Sequence, residues 1–99
     1  MGKSQFGVVG LGVMGQNLAL NAERNGFAVA GFDLDEAKLR KFAQLSGVKQ
    51  LQATGSLAEF AETLEPPRRI LVMVPAGKAV DAVIADLKPH LKPEDILID

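Results

Sequence analysis

The sequence predicts an α/β class domain, a doubly wound parallel sheet of five strands in the order 3-2-1-4-5 with helices on both faces. Three observations predict it. Short apolar, β-branched runs alternate with stretches of helical periodicity along the whole chain. The runs are near-continuously apolar, as strands covered on both faces must be. A glycine turn joins the first run to the first helix, and an aspartate closes the second run.

Each element follows from its residues. Phe6-Gly7-Val8-Val9 reads as the first strand. A helix is expected from Val13 to Asn25, closed by Gly26 at the position where a left-handed residue ends helices. Phe27 to Phe32 reads as the second strand, ended by Asp33. Asp35 caps a helix running to Leu45, with Leu39, Phe42 and Ala43 on one face. Leu51-Gln52-Ala53 reads as a short third strand. Ser56 with Glu59 three residues later forms a capping box, and Leu57, Phe60, Ala61 and Leu64 follow helical spacing until Pro66-Pro67 stops the helix. Ile70 to Val74 is the clearest buried strand. Val80, Val83, Ile84 and Leu87 mark a fourth helix, bracketed at its exit by Pro89 and Pro93. Ile96-Leu97-Ile98 reads as a fifth, buried strand. A chain ending at once on such a strand, at Asp99, suggests a piece of a longer protein. The crossovers between parallel strands are expected to be right-handed.

Bulk properties narrow the function. Ninety-nine residues make one domain, and a hydrophobic fraction of 47% is ordinary for a globular chain. A net charge of -1, with Arg40-Lys41 and Arg68-Arg69 as the only basic doublets, offers no footprint for nucleic acid or an anionic membrane. Phe6 to Val9 is too short for a membrane span or a signal core. The absence of cysteine excludes disulfides and thiolate metal sites and fits a cytoplasmic protein.

Gly10-Leu11-Gly12-Val13-Met14-Gly15 fits G-x-G-x-x-G. Strand before, helix after and an acid at the end of the next strand give it the context of a Rossmann-type dinucleotide site. Gly10 permits the tight turn. Gly12 leaves room for a pyrophosphate to approach the backbone, and Gly15 lets the helix pack closely on the sheet. Free N–H groups at the helix start then face the anion. Gln16-Asn17 follow, so the Lys-Ser/Thr ending of a triphosphate-binding loop is missing. The plainer alternative is a strand-to-helix turn that uses glycine for packing alone.

Asp33 stands eighteen residues after Gly15, where a carboxylate can accept hydrogen bonds from the adenosine ribose hydroxyls. It would repel a 2′-phosphate. Asp35 reads first as a helix cap and adds a second negative charge. Leu34 lies between them, and Lys38 and Arg40 follow only further along the helix. NAD is therefore expected over NADP.

Three strings resemble the 6-phosphogluconate dehydrogenases, within the β-hydroxyacid dehydrogenase superfamily. They are Gly10 to Asn21, Pro67-Arg68-Arg69-Ile70 leading to Val74-Pro75-Ala76-Gly77-Lys78-Ala79-Val80-Asp81, and Ile96-Leu97-Ile98-Asp99. Gly26-Phe27 at the start of strand two fits as well. The resemblance covers essentially the entire chain. It implies a cofactor domain that lines its groove with Val74, Pro75 and Ala76. Many members carry Asn-Arg-Thr where Asp33-Leu34-Asp35 stand, with the Arg holding the NADP phosphate, and many carry Lys at Pro75. Both departures resemble the NAD-preferring branch, while NADP use stays open. The resemblance further implies that the full enzyme is a homo-oligomer that oxidises 6-phosphogluconate at C3 and decarboxylates it to ribulose 5-phosphate. The catalytic lysine and glutamate then lie beyond Asp99, so no catalytic residue is assigned here. Two other readings remain: the cofactor domain of another β-hydroxyacid dehydrogenase, and a non-catalytic dinucleotide-sensing module. A flavodoxin-like or receiver-like domain is disfavoured by the glycine turn.

The other polar residues have plainer readings. His90, the single histidine, lacks a catalytic partner nearby and is expected on the surface. Arg68 and Arg69 precede a strand at its N-terminal end, away from where ligands bind in such sheets, and are expected to be structural or interface surface. Asp81, Asp86, Glu94 and Asp95 show no metal-ligand clustering and are expected to be solvated. Met14 is expected to serve both core and groove wall.

Overall fold

A computed structural model describes residues 4–46, 50–74 and 77–98. Its elements run β1 (Phe6–Val9), α1 (Val13–Arg24), β2 (Val29–Phe32), α2 (Glu36–Ser46), β3 (Leu51–Ala53), α3 (Leu57–Thr63), β4 (Arg69–Val72), α4 (Lys78–Leu87), a 3-10 turn (Lys88–His90) and β5 (Ile96–Ile98). The five strands form one parallel sheet in the order β3-β2-β1-β4-β5, as the sequence predicts. β1 is central, with Val8 opposite Gly31 on one side and Leu71 on the other.

The two-residue period of the strands divides the core. Val8, Val29 and Leu51 join Leu11, Ala19 and Phe42 in a cluster that brings together the sheet, α1 and α2. Val9, Ala30, Phe32, Ile70 and Val72 join Phe60, Leu64, Val83 and Leu87 in a second cluster on the α3 and α4 side. Each cluster is built around one fully buried phenylalanine, Phe42 or Phe60. Room for both rings comes from the strands: a methyl group on Gly31 would overlap Phe42, and one on Gly7 would overlap Phe60.

The structure corrects several boundaries. β2 begins at Val29 rather than Phe27. The Phe27 N–H donates to the Ala22 carbonyl, so this backbone still belongs to the helix exit, and the Phe27 side chain is about half exposed. α1 stops at Arg24 with Asn25 as its cap, and Gly26 takes the expected left-handed conformation (φ 94°). α2 extends one residue past Leu45. β4 covers Arg69–Val72, not Ile70–Val74, because the sheet pairing ends at the Val9–Val72 rung. β5 is not buried. It pairs only with β4 among the described strands, and Ile96 and Ile98 are each about half exposed, as the side chains of an edge strand are. α3 carries the predicted cap in a shifted form. Ser56 Oγ accepts from the Glu59 N–H at 3.1 Å, whereas Glu59 Oε1 reaches back to the Gly55 N–H at 2.8 Å.

Arg68 and Asp95 pin β4 and β5 together at the N-terminal end of the sheet. The expectation of a structural Arg68 holds, and Arg69 is exposed. Asp95 is not solvated: its side chain is 1% exposed. It accepts from the Arg68 N–H at 2.7 Å, the Lys92 N–H at 2.8 Å and Arg68 Nη1 at 3.1 Å. Arg68 Nε donates to the Ala61 carbonyl at 2.7 Å and so ties the α3 exit into the same knot. Burial alone would raise the Asp95 carboxyl, but these donors and the guanidinium charge outweigh it and hold its pKa below the ordinary value. The sequence hid this pair because its partners lie 27 positions apart.

Removing one partner of a buried pair strands the other's charge. Asp95→Asn should lower unfolding stability by about 3 kcal/mol in urea titration. The sign of the pH dependence follows from the lowered pKa. The unfolded state takes up the proton first, so this stabilisation is complete above about pH 4 and is lost as the pH falls further. The acid limb of the stability profile should therefore be shallower in Asp95→Asn than in the wild type.

Candidate cofactor site

The C-terminal ends of β1, β2 and β4 converge where the strand order reverses, the place where open α/β sheets leave a crevice. The glycine turn lies on this edge. Gly10 has φ 101°, a region closed to most side chains, and a methyl group there would overlap the Met73 carbonyl on β4's exit. Gly15 packs so tightly that a methyl group would overlap the Gly10 carbonyl oxygen. Both glycines are therefore required by the protein's own packing.

Gly12 is different. It is the N-cap of α1, with φ -68° and ψ -172°, and a methyl group on it would meet nothing within 4 Å. Residues with a capping oxygen are the preferred choice at such a position. Here no side chain caps the helix and its first turn holds no acid. The leading N–H groups of α1 are left open at the crevice, at the positive end of the helix dipole.

Asp33 lies just beyond β2. Its Oδ2 accepts from the Leu11 N–H at 2.7 Å and its Oδ1 from the Asp35 N–H at 2.8 Å. Asp35 caps α2 as expected, its Oδ1 accepting from the Ala37 N–H at 2.9 Å. Leu34 projects outward and is 81% exposed. Leu11 turns its side chain into the core, 2% exposed, and its N–H to Asp33. Val13 and Met14 are 80% and 67% exposed. Met14 thus supplies no core, against expectation: the first turn of α1 stands clear of the sheet, and Leu11 and Ala19 fill that space instead.

A groove of about 290 Å³ runs between β1, β2, α3 and α4, lined by Val9, Phe32, Asp33, Leu34, Asp35, Leu57, Val74, Ala79, Ala82, Val83 and Asp86. Its walls are apolar, and its described charged groups are three carboxylates, Asp33, Asp35 and Asp86. Asp86 is exposed, as expected, and also lines the groove. Its place here is set by α4, which puts it one turn beyond Ala82, and sequence spacing alone carries no sign of that groove. Arg40 lines a second, more open groove on the other side of Leu34, beside Glu36. Val74 lines the first groove. Pro75 and Ala76 fall outside the described residues. Exposed His90 lies at the α4 exit. Among the described residues no group of histidines and acids could hold a metal ion, and no helix is long and apolar enough to cross a membrane.

Comparison with known proteins gives this geometry a family. Residues 5–99 match the family model of the NAD binding domain of 6-phosphogluconate dehydrogenase. The chain is 50% identical over its whole length to the NADP(+)-dependent, decarboxylating 6-phosphogluconate dehydrogenase of Bacillus subtilis, covering 21% of that protein. It is 48% identical to the decarboxylating 6-phosphogluconate dehydrogenase of Escherichia coli K12, with the same coverage. The solved Plasmodium falciparum 6-phosphogluconate dehydrogenase, studied with NADP+ and with 6-phosphogluconate, superposes with a TM-score of 0.86 at 29% identity. That match covers 96% of this chain and 21% of the other. The chain thus spans about one fifth of the length of these relatives. It belongs to the family of the NAD binding domain of 6-phosphogluconate dehydrogenase.

Proposed function

We propose that residues 1–99 form the cofactor-binding domain of a decarboxylating 6-phosphogluconate dehydrogenase. The observation that carries this reading is Gly12, a glycine with no packing reason to be one, at an uncapped helix start facing open space. A pyrophosphate seated against the N–H groups of Gly12, Val13 and Met14 accounts for both features. Asp33 then accepts from the adenosine ribose hydroxyls. The adenine lies in the apolar groove between Leu34 and Val74, Ala79 and Val83. The bound nicotinamide supplies hydride acceptance. The groups that act on 6-phosphogluconate belong to the part of such enzymes this chain does not match. We place the full enzyme in the cytoplasm as a homo-oligomer, with no nucleic-acid or membrane partner.

The preferred cofactor is NAD. A 2′-phosphate would enter a groove whose described charges are all negative, and the Leu34 side chain offers it no hydrogen bond. The Bacillus subtilis relative is named NADP(+)-dependent and the Plasmodium enzyme was solved with NADP+. The preference proposed for this chain rests on its own Asp33, Leu34 and Asp35.

Three variants check this reading. Gly12→Ala should keep its thermal unfolding midpoint within a few degrees of the wild type, since its added methyl meets open space. It should nonetheless bind NAD at least about tenfold more weakly in calorimetric titration, because the methyl occupies the anion's place. Gly15→Ala should instead be strongly destabilised, by about 2 kcal/mol or more, since its methyl meets backbone. Unchanged NAD affinity in Gly12→Ala would remove the basis for the site. Leu34→Arg should raise NADP affinity relative to NAD by about tenfold in paired titrations, through one new charge-assisted contact. No change in the ratio would show that another residue sets the choice.

A further inference from the structure

We infer that Asp33 is a positioning residue for the glycine turn: its carboxylate fixes the Gly10–Leu11 peptide plane, and through it the N–H groups that follow. The N–H and C=O of a trans peptide point in opposite directions. In this peptide the Leu11 N–H donates to Asp33 Oδ2 at 2.7 Å. The Gly10 carbonyl at the opposite end lies against Gly15, so closely that a methyl group there would overlap it. One plane is therefore clamped from β2 on one side and from α1 on the other. The Gly10 N–H, donating to the Phe32 carbonyl at 2.9 Å, holds the preceding peptide to β2 as well. The Leu11 side chain, 2% exposed, anchors the following residue in the core.

These contacts leave the turn with little freedom before Gly12, where the open N–H groups begin. Asp33 itself is held by the Asp35 N–H on its other oxygen, so it is a fixed strut rather than a mobile side chain. Each carboxylate oxygen can accept more than one hydrogen bond. The same group can thus hold the turn and still receive a ribose hydroxyl. The consequence is that cofactor choice and turn order are coupled at one residue. A substitution that removes the Asp33 charge but keeps an acceptor differs from one that removes both. This inference deepens the cofactor reading and rests on it only for that consequence.

Amide exchange measured by NMR without cofactor tests the strut by itself. The Leu11 amide should be protected in the wild type and should exchange about tenfold or more faster in Asp33→Ala. Asp33→Asn, with one carbonyl oxygen to serve the Leu11 and Asp35 N–H groups that Asp33 holds on two, should exchange faster than the wild type and more slowly than Asp33→Ala. An unprotected Leu11 amide in the wild type, or equal rates in wild type and Asp33→Ala, would overturn the inference. Should Asp33→Ala fail to fold, Leu11 protection in wild type and Asp33→Asn decides the matter alone. A second arm uses an NAD analogue that lacks the adenosine-ribose hydroxyls. Asp33→Ala should bind it at least about threefold more weakly, despite losing a negative charge near the phosphates. Equal or tighter binding would confine Asp33 to ribose recognition. Failure of the wild type to bind NAD at all would count against the cofactor reading and leave the exchange result standing.

Discussion

The end of β1 is the constraint on which the site depends. A central strand of a parallel sheet must leave the sheet, reverse and enter a helix that packs back on the same sheet. Here that reversal occurs over three residues, Gly10, Leu11 and Gly12, between β1 and α1. It is possible because Gly10 takes a backbone conformation that side chains avoid and because Gly15 lets the Gly10 carbonyl lie against the helix. Asp33 supplies the third hold, across β2, through the Leu11 N–H. Once these are in place, Leu11 enters the core and the first turn of α1 stands clear of the sheet.

That geometry separates two uses of glycine that a motif alone merges. Gly10 and Gly15 serve the fold, and their environments say so. A methyl group on Gly12 would meet nothing among the described residues, and the helix it opens forgoes a capping side chain at a cost of roughly a few tenths of a kcal/mol. Val13, Met14 and Leu34 stand exposed around the same opening, where burial would otherwise favour them. An uncapped helix start ringed by exposed apolar groups is costly for a chain in isolation and reasonable for one that closes around a ligand with an anionic centre and apolar rings.

Much of this was legible in the sequence because its signals are local. Strand order and helix placement followed from apolar runs, glycine exits and capping residues such as Asp35 and Ser56. The glycine turn and Asp33 stood out because their spacing is short and fixed. What escaped was set by distant partners. The burial of Asp95 depends on Arg68, 27 positions away, and an acidic residue outside any metal-ligand cluster reads as surface without it. The exposure of Ile96 and Ile98 was implicit in the predicted order, which gives β5 one neighbour, but their apolar, β-branched run reads locally as a buried strand. Phe27 looked like strand because its side chain is aromatic, whereas its N–H is committed to the α1 exit. Asp86 enters the groove only through the way α4 packs.

The open N–H groups at the start of α1 are the proposed seat of the cofactor. Titrating isotope-labelled protein with NAD and following each amide by NMR tests it most directly. The largest shifts should fall on Gly12, Val13 and Met14, with a second group at Leu34 and Asp35. Saturable binding that leaves those amides unmoved, and instead shifts residues at the opposite edge of the sheet such as Phe27 and Arg69, would contradict it.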